Sequence, residues 1–428
     1  MKTLLAVLLA GWFGTTAPLL AKSLEETRRA AEQGEAEAQC AMGVRYAQGD
    51  GVPEDAAAAV EWYRKAITHG HVEAQRRLGM CYLNGTGVPQ DATEALKWLR
   101  LAAAQNHVAA MKQLGVCYSL GSGVTKDIAE GLKWFRQAAE RGDAVAQMEL
   151  GMAYFDGEGV EQDASEAVNW FRKAAEQGDL NAQKILGSTY AEGLRLPPDL
   201  HEAVKWFRKA AEKNDPEAQL RLGMAYALGA GVPLDLKVAV DLVRKAAAQK
   251  YAPAQLELGE FYMFGTGVPK DPAEAMDWYR KAADQGDAIA QTKLAVAYYN
   301  GTGVLRNVAE AAEWFRKAAA QNYALAQVGL GGCHLRGEGV PKDEAEAVKL
   351  FRAAAEHENA DGQFALSLLL EKGEGVNKDL VEALKWCRLA SERGHDIAEL
   401  HQATLEATMS REQIIEAVRR QRDWKPAK

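Results

Sequence analysis

Residues 74–109 read AQRRLGMCYLNGTGVPQDATEALKWLRLAAAQNHVA, and the same pattern returns every 36 residues along the chain. Ala74, Leu78, Cys81 and Tyr82 share one helical face. Gly85-Thr86-Gly87 ends that helix, because glycines admit backbone angles that other residues resist. Val88 offers an apolar plug inside the loop, and Asp91 is a good N-cap for the next helix. Ala95, Trp98, Leu99 and Ala102 form the apolar face of that second helix. Asn106, matched by Gly70, Gly142, Gly178 and Gly286, supplies the left-handed residue that closes it. A single hairpin of this kind cannot bury both apolar faces, so copies must stack.

The columns run the length of the chain. Tyr46, Tyr82, Tyr118, Tyr154, Tyr190, Tyr226, Tyr262 and Tyr298 are each 36 residues apart, continued by His334 and Leu370. Three residues before them stand Gly43, Gly79, Gly115, Gly151, Gly187, Gly223, Gly259, Ala295, Gly331 and Ser367. Eight of the ten Trp occupy one further column, from Trp62 to Trp386. Ten repeats fit over residues 38–397 without insertion or deletion, so the 428 residues are one array rather than several globular domains. A Gly inside a helix costs about 1 kcal/mol relative to Ala. Its recurrence implies close approach of a neighbouring helix, with the aromatic residue after the Trp (Tyr63, Phe135, Phe171, Phe207) as the occupant of the space.

Composition sets limits on function. The chain is 48% hydrophobic and 26% charged with a formal charge of −8, which argues against a basic nucleic-acid-binding or anionic-membrane-binding face. Five Cys are too few for a disulfide framework. Lys2 followed by the uncharged stretch from Thr3 to Ala21 reads as a secretory signal peptide over residues 1–21, with an uncleaved N-terminal anchor as the alternative. Residues 22–37 then form an N-terminal capping helix and 398–428 a C-terminal capping helix and tail, with Ser410 and Gln413 spaced as a capping box. Trp424 could fold back onto the last repeat, and Arg419, Arg420, Arg422 and Lys425 read as a solvated helix end.

The pattern from Ala146 to Ala175, Ala-x-x-x-Leu-Gly-x-x-Tyr-x-x-Gly-x-Gly-Val-x-x-Asp followed by Trp-Phe-Arg-Lys-Ala-Ala, resembles the Sel1-like repeat, a relative of the tetratricopeptide repeat. The resemblance covers essentially the whole chain after residue 21. It implies an all-α, right-handed superhelical solenoid of ten helix-turn-helix repeats, and an exported bacterial adaptor in the periplasm or medium. Its partners would be other proteins or peptides, held on a concave face lined by first helices, with no nucleic acid and no membrane insertion after signal removal. One secreted branch carries a disulfide in each repeat and is linked with penicillin binding. This chain departs from that branch, so a penicillin-binding or beta-lactamase-like envelope protein is the alternative reading.

An Arg column, from Arg64 and Arg100 to Arg388, has a member in every repeat and is read as structural, pairing with a neighbouring loop Asp or carbonyl at a helix C-terminus. Specificity should lie where repeats differ. On the tetratricopeptide-like geometry the resemblance implies, the candidate partner-binding residues are Met152, Phe155, Met224, Leu228, Met263, Phe264 and Tyr299. Inter-repeat core is the competing reading of the same residues. The fifth repeat is irregular, because Arg195 replaces its second loop glycine.

The sequence offers no catalytic motif. Cys81, Cys117 and Cys333 share a column with Ala153, Ala225 and Ala297, which marks a small buried position. His69, His71 and Glu73 could bind a metal weakly, but they fall at a helix-joining turn and read as surface residues. Ser-x-x-Lys, Gly-x-Ser-x-Gly, His-Glu-x-x-His and phosphate-binding loops are absent, so neither an enzyme nor a cofactor is expected. Asn84-Gly85-Thr86 and Asn300-Gly301-Thr302 fit a glycosylation acceptor but are equally the family's loop.

Overall fold

A computed structural model describes residues 23–426, and the signal-peptide reading of residues 1–21 lies outside them. The described residues form twenty-three helices and no strand. The chain divides into two compact units, Met1–Asp199 and Leu200–Lys428. In the first, α1 (Leu24–Glu32) precedes the pairs α2 (Ala36–Gln48) and α3 (Ala56–Thr68), α4 (Val72–Asn84) and α5 (Ala92–Ala104), α6 (Val108–Leu120) and α7 (Ile128–Glu140), and α8 (Ala144–Asp156) and α9 (Ala164–Glu176), then α10 (Leu180–Glu192). The second opens with α11 (Leu200–Glu212). The pairs α12 (Pro216–Leu228) and α13 (Leu236–Ala248), α14 (Ala252–Phe264) and α15 (Pro272–Asp284), and α16 (Ala288–Asn300) and α17 (Val308–Ala319) come next. The last pairs are α18 (Ala324–Arg336) and α19 (Glu344–Glu356), and α20 (Ala360–Lys372) and α21 (Leu380–Glu392), closed by α22 (Asp396–Glu406) and α23 (Arg411–Asp423). Within each unit consecutive helices pack side by side as an all-α solenoid.

Local chemistry places the boundaries. Gly85 closes α4 at φ 71°, and the Asp91 side chain accepts from the Thr93 and Glu94 amides to open α5. The second loop glycine has a tertiary role: a Cβ on Gly87 would lie 2.1 Å from the carbonyl oxygen of Ala56, at the start of the preceding repeat's second helix. Arg195 takes this place in the fifth repeat with φ 62°, a left-handed angle that costs a non-glycine residue about 1–2 kcal/mol. Its guanidinium lies 5.0 Å from the Phe155 ring centroid.

The helical glycines do what their column implies. A Cβ on Gly151 would sit 2.5 Å from the Phe171 ring, and one on Gly259 2.5 Å from Tyr279. Ser367, the last member, donates its hydroxyl to the Ala383 carbonyl at 2.7 Å. A polar column inside the first helices was not anticipated. Gln147 donates to the Ala139 carbonyl at 3.0 Å and accepts from Gln177 at 2.8 Å, and Gln255 and Gln291 repeat both bonds. Each buried amide thereby satisfies carbonyls at the end of one second helix and is held by the next.

Ser410 and Gln413 make a reciprocal capping box, and Trp424 meets Trp386 edge-on with ring centroids 5.6 Å apart. Arg420 bonds Glu382 and Glu416, and Arg419 bonds Glu416, so this basic cluster is partnered at the helix surface.

Candidate functional site

The candidate partner-binding residues lie on the first helices of their repeats and fall into two groups. Met152 and Phe155 are half-buried on α8, where the Phe155 ring is 6.4 Å from Phe171 and carries Arg195 over its face. In the second unit, Met224 packs against the cluster around Val243 and Phe261, and Met263 and Tyr299 pack against the cluster around Leu294 and Trp314. Tyr299 also donates its hydroxyl to Glu338 at 2.5 Å and accepts from Arg336 at 3.1 Å. Leu228 and Phe264 differ: they end α12 and α14 at equivalent positions and are 71% and 70% exposed.

Further exposed apolar residues lie in the second unit. Leu234 lies in the loop after Leu228, and a Cβ on Gly229 would touch it at 3.4 Å. Ile289 and Leu325 are exposed at one position of consecutive first helices, and Val296 lies two turns after Ile289 on α16. That seven-residue spacing was the sequence signal available for them.

Charges on the same helices are arranged around carboxylates. On α14, Glu257, Glu260 and Phe264 share a stripe; Glu260 accepts from the Tyr279 hydroxyl and lies 3.1 Å from Lys293. Burial, then the charge of Glu260, pushes the Glu257 carboxyl upward against the pull of Lys293. Burial likewise raises the Glu149 carboxyl on α8. In the second repeat Glu73 accepts two hydrogen bonds from Arg76, at 2.7 and 2.8 Å, and forms an ion pair with Arg77 at 2.7 Å. His107 accepts the Ala110 amide on Nδ1 and therefore presents its Nε2 proton to Glu73, 3.0 Å away.

The Arg column is structural, but its partner differs from the loop Asp or carbonyl expected. Arg64, Arg100 and Arg172 donate to the hydroxyls of Tyr82, Tyr118 and Tyr190 at 3.0, 2.5 and 2.7 Å, and Arg136, Arg208, Arg244 and Arg280 do the same with the next Tyr in line. Where the Tyr column lapses at His334, Arg316 bonds Glu313, the same within-helix pairing that Arg64 and Arg244 make beside their Tyr bonds.

The side chains considered for chemistry have other employment. His71 caps α4 through the Ala74 amide, His69 faces Gln39 and the Lys65 carbonyl, and Glu73 faces its arginines. Among the described residues no three His, Cys, Asp or Glu are grouped to hold a metal, and no helix is long and apolar enough to cross a membrane. All five cysteines are free. Burial pushes Cys40 up to about 12 and Cys81, Cys117 and Cys387 up to about 11, the opposite of an activated thiol.

Comparison with known proteins agrees with this geometry. The Sel1 repeat profile matches ten consecutive segments, beginning with 36–71 and ending with 360–395. The crystal structure of c5321, a protective antigen present in uropathogenic Escherichia coli strains and displaying an SLR fold, is 34% identical over 95% of this chain and 98% of its own, with a TM-score of 0.62. A Sel1 repeat protein from Oxalobacter formigenes is 34% identical over 72% of this chain and 90% of its own, with a TM-score of 0.65. Comparison with curated proteins gives no match.

Proposed function

This chain belongs to the Sel1-repeat family, whose members are generally protein-interaction scaffolds, and from that premise we propose that it captures a partner polypeptide on the first-helix face of its repeats. One observation carries the reading: Leu228 and Phe264 place large apolar side chains in solvent at the same position of adjacent repeats. Both side chains are largely left in solvent by their own repeats, so a partner that covers them gains apolar burial. Met224, Met263 and Tyr299 serve this face as half-buried supports, and Met152 and Phe155 are half-buried at the same helix positions within the first unit. The signal-peptide reading puts the activity in the periplasm or the medium. The penicillin-recognising alternative belongs to a branch with a disulfide in each repeat, whereas the five cysteines of this chain are free.

The test is a Leu228→Ser, Phe264→Ser double variant. Both side chains are exposed, so its unfolding midpoint should move by no more than ~2 °C. Proteins that co-purify with the wild type from an envelope extract should be lost. Retention of the same set by the folded variant would refute the reading.

A further inference from the structure

The two ends of the array are finished differently. α1 turns Glu25, Arg28, Arg29 and Glu32 to solvent, a polar outer face of the kind a solenoid needs at its terminus. The C-terminal cap does not. On α22, Leu400 is 75% and Ile397 61% exposed, and Asp396, Leu400 and Ala403 form one solvent-facing stripe that ends at Ala407. On α23, Arg411, Ile415, Val418 and Arg422 form a second exposed stripe with the same four-three-four spacing.

The stripes complement each other. One begins with an acid and has a single large apolar residue among small ones. The other has two branched apolar residues between two bases. In antiparallel contact Leu400 meets Val418, Ala403 receives Ile415, Asp396 faces Arg422, and Arg411 lies at the carbonyl end of α22, where a cation is favoured. Within one chain α23 is docked on α21 through Trp424 and Arg420, which leaves its stripe outward. The interface also continues an established one. The equivalent of Leu400 in the preceding repeat, Phe364, is covered by His395 and His401 of the following segment, with ring centroids 4.5 and 5.9 Å away. The ten matched repeats end at residue 395, and α22 and α23 leave Leu400 exposed.

We propose that this end face is covered by the same face of a second copy, α22 of each chain lying on α23 of the other about a two-fold axis. Such an isologous contact is closed, and among the described residues the exposed face of α1 is polar, a poor match for the apolar stripes in a head-to-tail contact.

The experiment is light-scattering mass measurement of the purified protein during gel filtration, in a series up to ~100 μM, where even a weak dimer is populated. A species of twice the monomer mass is expected, the monomer being 46.5 kDa with residues 1–21 included. Leu400→Glu should raise the dimer dissociation constant ~100-fold with the helical circular dichroism unchanged. Asp396→Arg should weaken the dimer, and Asp396→Arg with Arg422→Asp in the same chain should restore it. A monomer throughout, higher oligomers, or a dimer indifferent to all three variants would overturn the proposal. The charge swap decides the matter if the Leu400 variant folds poorly.

Discussion

Arg172 on α9 donates from Nη2 to the hydroxyl of Tyr190 on α10, at 2.7 Å, tying the second helix of one repeat to the first helix of the next. The bond explains why both columns are kept in step: 18 residues separate every such pair from Arg64–Tyr82 to Arg280–Tyr298. Arg136 and Arg280 also lie 5.7 and 5.6 Å from the ring centroids of their Tyr partners.

Removing either end of the Arg172–Tyr190 bond should cost about 1 kcal/mol, the usual net value of a hydrogen bond that water can partly replace. Tyr190→Phe keeps the ring and loses only the acceptor, while Arg172→Lys keeps the charge and loses the planar donor. In a double-mutant cycle read by urea unfolding, the second change should cost ~0.5–1 kcal/mol less once the first is present. Additive losses would mean the bond contributes nothing.

Glu73 gives the array a defined acid sensitivity. Burial alone would raise its carboxyl, but hydrogen bonds from Arg76 and His107 and the charges of Arg76 and Arg77 outweigh that and hold it well below the usual carboxylate range. A carboxyl depressed in the folded state adds stability that is complete above its unfolded value of ~4.3 and disappears as pH falls toward the folded one. Between about pH 6 and pH 3 the wild type should therefore lose roughly 2 kcal/mol from this group. Glu73→Gln should be about 3–5 kcal/mol less stable at pH 6, because it strands two mostly buried guanidinium groups. The gap should narrow on acidification; urea midpoints that keep the same separation at both pH values would contradict the assignment.

The fold was legible because its determinants are local. Left-handed glycines such as Gly85, Asp caps such as Asp91, and the pairing of Gly151 with Phe171 act within a few turns of chain, so one repeat read correctly gives all ten. The Gln147 column was not legible, since an isolated Gln on a helix reads as surface; its burial depends on the Ala139 carbonyl and Gln177, which only stacking brings together. The column also shows what happens when a partner changes. Gln363 meets Arg393 in place of a Gln, Arg393 turns to Glu358, and the buried Gln363 carbonyl oxygen is left without a donor. The candidate site was half legible for the same reason. Phe155 and Phe264 stand one position apart in the repeat, and only the packed helices show that the first position is half-buried, as at Phe155 and Met263, while the second is exposed, as at Leu228 and Phe264.

The lapse of the glycine column at Ala295 is repaired one repeat later, and this can be tested. In other repeats an aromatic ring of the second helix presses on the Gly of its own repeat, as Tyr279 does on Gly259 and Phe351 on Gly331. Ala295 denies Phe315 that space, and it is Gly329 on α18 whose added Cβ would fall 2.5 Å from the Phe315 ring. Gly329→Ala should therefore cost ~1–2 kcal/mol, an overpacking penalty larger than the ~1 kcal/mol gained in helix propensity. In an Ala295→Gly background the ring regains its usual seat, so the same change should cost at least ~0.5 kcal/mol less. Gly332 supplies the control: its added Cβ would meet only the flexible end of Arg336, at 3.1 Å, so Gly332→Ala should be neutral or stabilising by up to ~1 kcal/mol. Urea unfolding of the four variants measures all of this, and a Gly329→Ala cost that ignores residue 295 would show that the two positions are independent.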